Sequence, residues 1–381
     1  MIIFFLLIII FLITALLFLL IKELHLSTAS NYIMTIFLSL IILFIILKPE
    51  VCISASISGA KLFFFSVFPY VFPFLIITNL IICYDGIEIY SKLLGPILCL
   101  PQRLPKKASI VLMVSFLCGY PLGAKYAADL YENDIISFST FERLVNIASN
   151  PGPLFIIGAV GTSMLKNKYL GYILLISCYL SCIAMGIILP NKKDDFSTKK
   201  TKWNVSEKHS IGTALKTSTE NAVKVILQVM SFIIIFSVII GILKQSVIFK
   251  NSEASFIKTF ILGIVEMTNG SSMLSSSSFP IELKVITISF LSSFGGLCVI
   301  AQIYSFIGKY KISYLKFISL KVIQGVISSI ICFLLFKFLY VNNTISTFNA
   351  NNNFLSPSHF FTVAVILAVL PILIYKIKKT I

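Results

Sequence analysis

Ten apolar runs, at approximately 2–21, 31–47, 62–83, 108–131, 141–165, 169–189, 222–243, 285–307, 317–340 and 360–376, take up most of this 381-residue chain. About 20 such residues in a helix cross the roughly 30 Å of hydrocarbon in a bilayer. Only helices and closed barrels satisfy their own backbone there. A mean hydropathy of +0.98 and a charged share of 12% exclude a water-soluble globule, in which about a quarter of residues are charged. The expectation is an all-α polytopic membrane protein with about 8–10 transmembrane helices. The first run, Ile2 to Ile21, lacks the basic flank of a signal peptide and reads as a retained span, although "STAS" after it leaves a cleavage site open.

The formal charge of +16 does not point to nucleic acid, because the lysines sit at the ends of apolar runs and in one loop, with no nucleic-acid-binding motif around them. Cys178 and Cys182 share a helix face at i, i+4, but no histidine or carboxylate stands near them, so apolar filler is their expected role and no metal or cofactor is implied. No catalytic set emerges. Spans hold no histidine, and the chain has no nucleophile elbow, no HExxH pattern and no P-loop. The expectation is a non-enzyme that does not use ATP itself.

The lysine-rich loop Asn191 to Lys216 and the tail "YKIKKTI" place themselves in the cytoplasm, and the uncharged stretch Val341 to His359 across the membrane. One segment violates this tally. "QRLPKK" (Gln102 to Lys107) counts as external although it is basic, a warning that a neighbouring segment is re-entrant. Two halves also resemble each other: "SFLCGYPLG" (115–123) lies on "SFLSSFGGL" (289–297), and residues 59–82 look like 221–243. The division read from this is an N-terminal two-helix membrane region (1–57), a first repeat (58–190), a basic cytoplasmic loop (191–219), a second repeat (220–340), and an external loop with the last helix (341–381). Whether the repeats run parallel or inverted depends on which segments are re-entrant.

The segment "NIASNPGP" (146–153) sits where a span belongs, yet Pro151 removes an amide, Gly152 admits unusual dihedrals and Pro153 suits a helix start. This predicts two half-helices with an unwound joint. Such joints hold substrates in secondary transporters, where free carbonyls and half-helix N-termini share one small space. The plain alternative is a proline kink. Against it stands recurrence: "CGYPLGAK", "EMTNGSSMLSSSS" and "SSFGGL" are further broken polar segments, spread over both halves. Charges inside apolar runs add Lys125 and Glu266. Arg143, one of two arginines, precedes the joint by about a turn and offers a planar fork for a carboxylate; its alternative is an interfacial anchor paired with Glu142. The candidate substrate-binding residues are Tyr120, Lys125, Arg143, Asn146, Ser149, Asn150, Gly152, Glu266, Thr268, Asn269 and Ser293.

"FPFLIITNLI", "FLCGYPLGAK", "ERLVNIASNPGPLFIIGAVGTSML", "EMTNG" and "SSFGGLCVIAQ", spread over about 58–305, resemble the YlbJ (SpoVV) family of sporulation integral membrane proteins, within a wider group bearing a nucleoside-recognition or gate domain. The resemblance implies a protein of the outer forespore membrane of an endospore-forming bacterium that moves dipicolinate, a pyridine dicarboxylate, toward the spore. Its expected partners are that small anion and the lipid bilayer, with no nucleic acid; the oligomeric state, coupling ion and direction of flux stay open. Two other functions remain: a nucleoside or nucleobase carrier, and a non-transporting scaffold for spore assembly.

Overall fold

Every regular element in the computed structural model, which describes residues 29–84, 86–190, 210–245 and 255–341, is helical. The first and last apolar runs and most of the lysine-rich loop lie outside the described residues. The chain is an all-α membrane protein, and its helices fall into two sets with the same order of parts.

α1 (Ala29–Leu47) and α2 (Pro49–Ser66) meet at a bend of 105°, where Pro49 takes the first helical position and has no amide to continue the ladder of α1. After a one-residue break at Val67, α3 (Phe68–Cys83) carries on from α2. Two short helices follow, α4 (Gly86–Leu93) and α5 (Gly95–Leu98), and then a 3₁₀ turn at Lys106–Ala108. Next come α6 (Ser109–Cys118), α7 (Leu122–Glu132), α8 (Phe138–Ile147), a π-helix (Leu154–Met164) and α9 (Lys168–Ile188). The second set opens with α10 (Ile211–Gln245) and continues through α11 (Phe256–Val265), α12 (Met267–Ser276), α13 (Ile281–Phe294), α14 (Gly296–Ile307) and α15 (Tyr314–Leu335), ending in a π-helical segment at Phe336–Val341.

The α2–α3 rod and α10 lie antiparallel. Gly241 faces Ala55, Gly59 faces Ser237, and the Asn79 amide donates to the Ser218 carbonyl at 3.3 Å. After each rod comes a hairpin (α6–α7; α11–α12), a span broken in the middle (α8 and its π-helix; α13–α14) and an unbroken span (α9; α15). Helices of about ten residues reach about 15 Å, half a bilayer, so the hairpins enter and return.

The two hairpins enter from opposite faces. At the face of α6–α7, the Arg103 guanidinium donates to the Ile187 carbonyl at the end of α9, and Glu132 at the end of α7 pairs with Lys309 beyond α14. At the other face, Met164, Lys244 and Ser272 line one cleft of about 580 Å³. The repeats are therefore inverted. The basic segment Gln102 to Lys107 lies with the basic connector around Lys309, which removes the exception to the positive-inside tally. The order of parts sets hairpin α6–α7 against hairpin α11–α12, whereas the likeness of 115–123 to 289–297 laid it on the broken span α13–α14; the likeness of 59–82 to 221–243 matches the rods.

Among the described residues, four helices are long and apolar enough to cross a membrane, or five if α1 and α2 form one span. The estimate of 8–10 counted the hairpin run 108–131 as a crossing and included two runs outside the described residues. In a variant without reactive cysteines, single cysteines at the exposed Lys106 and Lys309 should label from one side and a cysteine at the exposed Lys166, about 30 Å away along α9, from the other. Labelling of Lys106 together with Lys166 would mean that α6–α7 crosses.

Candidate functional site

The breaks occur where the sequence forbids a continuous ladder, and they pack on one another with almost no side chain between them. Gly119 holds φ +84° between α6 and α7, a region that costs other residues roughly 1–2 kcal/mol. A Cβ there would stand 2.4 Å from the Gly152 nitrogen, and one at Gly123 would stand 1.8 Å from the Ala148 carbonyl. The Tyr120 amide donates to the Asn150 carbonyl at 2.7 Å, stitching the tip of the hairpin to the break between α8 and the π-helix. In the second half, a Cβ on Gly296 would meet the Ile264 carbonyl and the Met267 nitrogen at 3.1 and 3.2 Å. Each hairpin tip is thus clasped by the break of the next span.

The halves meet where Tyr120, from the first tip, donates its hydroxyl to Met267 Sδ at 2.7 Å. Beside it lies a cavity of about 70 Å³, lined by Cys118, Tyr120, Gly152, Phe155, Glu266, Met267, Thr268, Cys298 and Gln302, and closed by apolar residues of α2–α3, α10 and α14. The first turns of three helices contribute to its wall, with Phe155 from the π-helix, Met267 and Thr268 from α12, and Cys298 and Val299 from α14. Their N-termini carry unsatisfied amides and partial positive charge. One is already served from within. Glu266 accepts from the amides of Thr268 (2.8 Å) and Asn269 (2.7 Å) and from the Asn269 side chain (2.8 Å), capping α12 while almost fully buried.

The candidate residues therefore separate. Tyr120, Gly152, Glu266 and Thr268 line the cavity, and Asn269 and Thr268 reach the wide cleft on its far side. Ser293 is fully buried behind the second break, beside Cys178 of α9. Ser149 and Asn150 face away from the cavity toward α15. Asn146 donates to the Glu142 carbonyl at 3.0 Å, one turn back on α8.

Lys125 and Arg143 line no part of the cavity. Lys125 pairs with Asp129 one turn on, at 2.6 Å, and lies over the Tyr126 ring. The Arg143 fork donates to the backbone carbonyls of Arg103 (3.0 Å) and Gly186. The last carbonyls of a helix have no partner inside it, so both arginines, with Arg103 on Ile187, serve the end of α9. Glu142, the alternative partner of Arg143, pairs instead with Lys316 of α15 at 2.8 Å.

Two side chains not singled out from the sequence stand at the centre. Lys321 of α15, 2% exposed, donates to the Ser149 carbonyl at 2.6 Å and to Gln324 Oε1 at 2.7 Å. Gln324 donates on to Asn150 Oδ1 at 2.8 Å. The sequence signal was the i, i+3 pair in "LKVIQG", but Lys321 follows the basic connector closely enough to read as a flanking lysine. Gln302, third, lies within the quoted "SSFGGLCVIAQ" and joins Cys298 at 3.3 Å on the cavity wall.

Residues 64–190 match the family model described as "Gate: Nucleoside recognition", a span that takes in α3 to α9 with the first hairpin and the first break. The chain is also similar to "Sporulation integral membrane protein YlbJ" of Bacillus subtilis (strain 168), 28% identical over 348 residues, which cover 83% of this chain and 85% of that protein. No solved structure matches. Over most of its length this chain is thus similar to YlbJ, with the match to the Gate model in its first half, the likeness that its broken-helix motifs suggested.

Proposed function

We propose that the chain is a secondary carrier of the sporulating cell that moves a small organic dianion, dipicolinate, across the outer forespore membrane. The observation that carries this reading is the convergence of three helix N-termini, from both inverted halves, on one small cavity. Helix N-termini favour anionic groups, and broken helices at the interface of inverted repeats are where carriers place their substrates. At about 70 Å³ the cavity is far below the several hundred cubic ångströms of a ligand site. This conformation is closed, and loading requires a hairpin to move off its glycine contacts. The sporulation role rests on the kinship with YlbJ.

A second reading, a nucleoside or nucleobase carrier, is favoured by the description of the matching family model and by the lining itself, where the ring of Tyr120 and the amide of Gln302 accompany a single charged side chain, Glu266. Uptake of labelled dipicolinate and labelled uridine into proteoliposomes separates the two. Dipicolinate uptake that uridine does not inhibit supports the first reading, and uridine uptake alone replaces it with the second. Folded protein that moves neither leaves a scaffold.

A further inference from the structure

Lys321 takes no part in the cavity wall, yet its surroundings are unusually specific. Its nitrogen donates to two acceptors, the Ser149 carbonyl and Gln324 Oε1. The network beyond is fully directed: Gln324 donates to Asn150 Oδ1, and Asn150 donates to the Ile147 carbonyl at 2.7 Å and to Ser115 Oγ at 3.3 Å. A neutral amine has two N–H donors, and both are used; an ammonium has three. Among the described residues no third acceptor bonds the nitrogen and no carboxylate pairs with it. The carboxylates in ion pairs are Asp129, Glu132 and Glu142, each held by another lysine.

The groups facing it from its neighbours are also neutral or engaged. From α9 come the thiols of Cys178 and Cys182, of which Cys182 donates to the Ile147 carbonyl at 3.0 Å and Cys178 accepts from Ser328. α13 presents Ser289, bonded to Ser328 at 2.8 Å. α8 presents Arg143, turned to the end of α9, and Glu142, turned to Lys316. An ammonium in this place has no counter-charge, a cost of several kcal/mol.

We infer that Lys321 is a proton site of the carrier, held as the free amine in this closed conformation and protonated when the movement that loads the cavity displaces the first break, to which Lys321 and Gln324 are bonded. The step is the binding of one proton, R–NH₂ + H⁺ giving R–NH₃⁺, taken from the side on which the carrier loads and released on the other. Ser149 and Asn150 belong to the first break, so the proton is sensed at the joint that the carrier must flex. The inference rests on the proposed carrier function, and it makes the proton the coupling ion.

The amine can be observed without any substrate. In bilayer-embedded protein labelled with ¹⁵N-lysine, the Nζ resonance of an amine is distinct from that of an ammonium. An amine signal at neutral pH that Lys321→Arg removes supports the inference. Ammonium signals alone across roughly pH 6 to 9 overturn it. In proteoliposomes carrying a pH dye, uptake of whichever probe is carried, dipicolinate or uridine, should move protons with it. Lys321→Gln should reduce that proton movement at least tenfold and flatten the pH dependence of uptake. Substrate flux without proton movement in the parent protein overturns coupling. If neither probe moves, the carrier reading falls while the nitrogen resonance still decides whether Lys321 is a proton site.

Discussion

Gly123→Ala is expected to abolish uptake in proteoliposomes and to lower the thermal midpoint of the detergent-solubilised protein by several degrees, while Gly158→Ala leaves both close to the parent. The added Cβ at Gly123 would lie 1.8 Å from the Ala148 carbonyl oxygen, whereas at Gly158 nothing lies within 4 Å. Overpacking a tight interior site costs about 1–3 kcal/mol, and the upper end applies because the obstacle is backbone. That backbone is also the start of the first break, with Ser149 and Asn150 next in the chain, so the displacement passes directly into the contacts with Lys321 and Gln324. Gly119→Ala should be worse still, since its φ of +84° adds backbone strain to a 2.4 Å contact with Gly152. Parent-like uptake in Gly123→Ala would show that the hairpin and the break do not need their close approach.

Glu266→Ala should be the most damaging change to a polar residue of the cavity. Three N–H bonds end on its carboxylate. Hydrogen bonds to a charged group contribute about 1.5–3 kcal/mol each, and an orphaned buried amide costs about 1–3 kcal/mol. Helix α12 would start uncapped at the tip of a hairpin, with the amides of Thr268 and Asn269 left without their carboxylate partner. Loss of folded protein on size-exclusion chromatography is expected for Glu266→Ala. Glu266→Gln keeps one acceptor oxygen and should retain fold with reduced uptake. If Glu266→Ala folds with an unchanged midpoint, the cap is dispensable and the carboxylate is present for the ligand alone.

Much of this architecture was legible because in hydrocarbon the sequence has few ways to satisfy its backbone. Among the described residues the apolar runs became helices, and each glycine- or proline-broken polar segment became a break: Gly119 before a cis Tyr120–Pro121 bond, residues 148–153, Glu266, and Gly295 with Gly296. The basic stretch Gln102 to Lys107, inconsistent with simple counting, lies beside the short hairpin α6–α7. What stayed hidden depends on long-range pairing. Arg143 is one turn from the joint along the chain, but its helix turns it toward carbonyls contributed from 40 residues upstream and 43 downstream. Lys321 touches Ser149 across 172 residues, and no local pattern distinguishes a lysine that reaches inward from one that snorkels to the interface.

The inverted order of parts also has an energetic meaning. Were the halves identical in sequence, turning the protein over would exchange them, and the conformations open to either side would be equally populated. They are not identical. The first break is braced from α15 by Lys321 and Gln324, while the second is a pair of glycines with positive φ. In the proposed carrier, the resting bias between the two orientations therefore lives in the few side chains that differ between equivalent positions. Each 1.4 kcal/mol of that difference shifts the ratio tenfold, so a substitution at Lys321 or Gln324 is expected to change which side of the membrane the empty protein prefers to face.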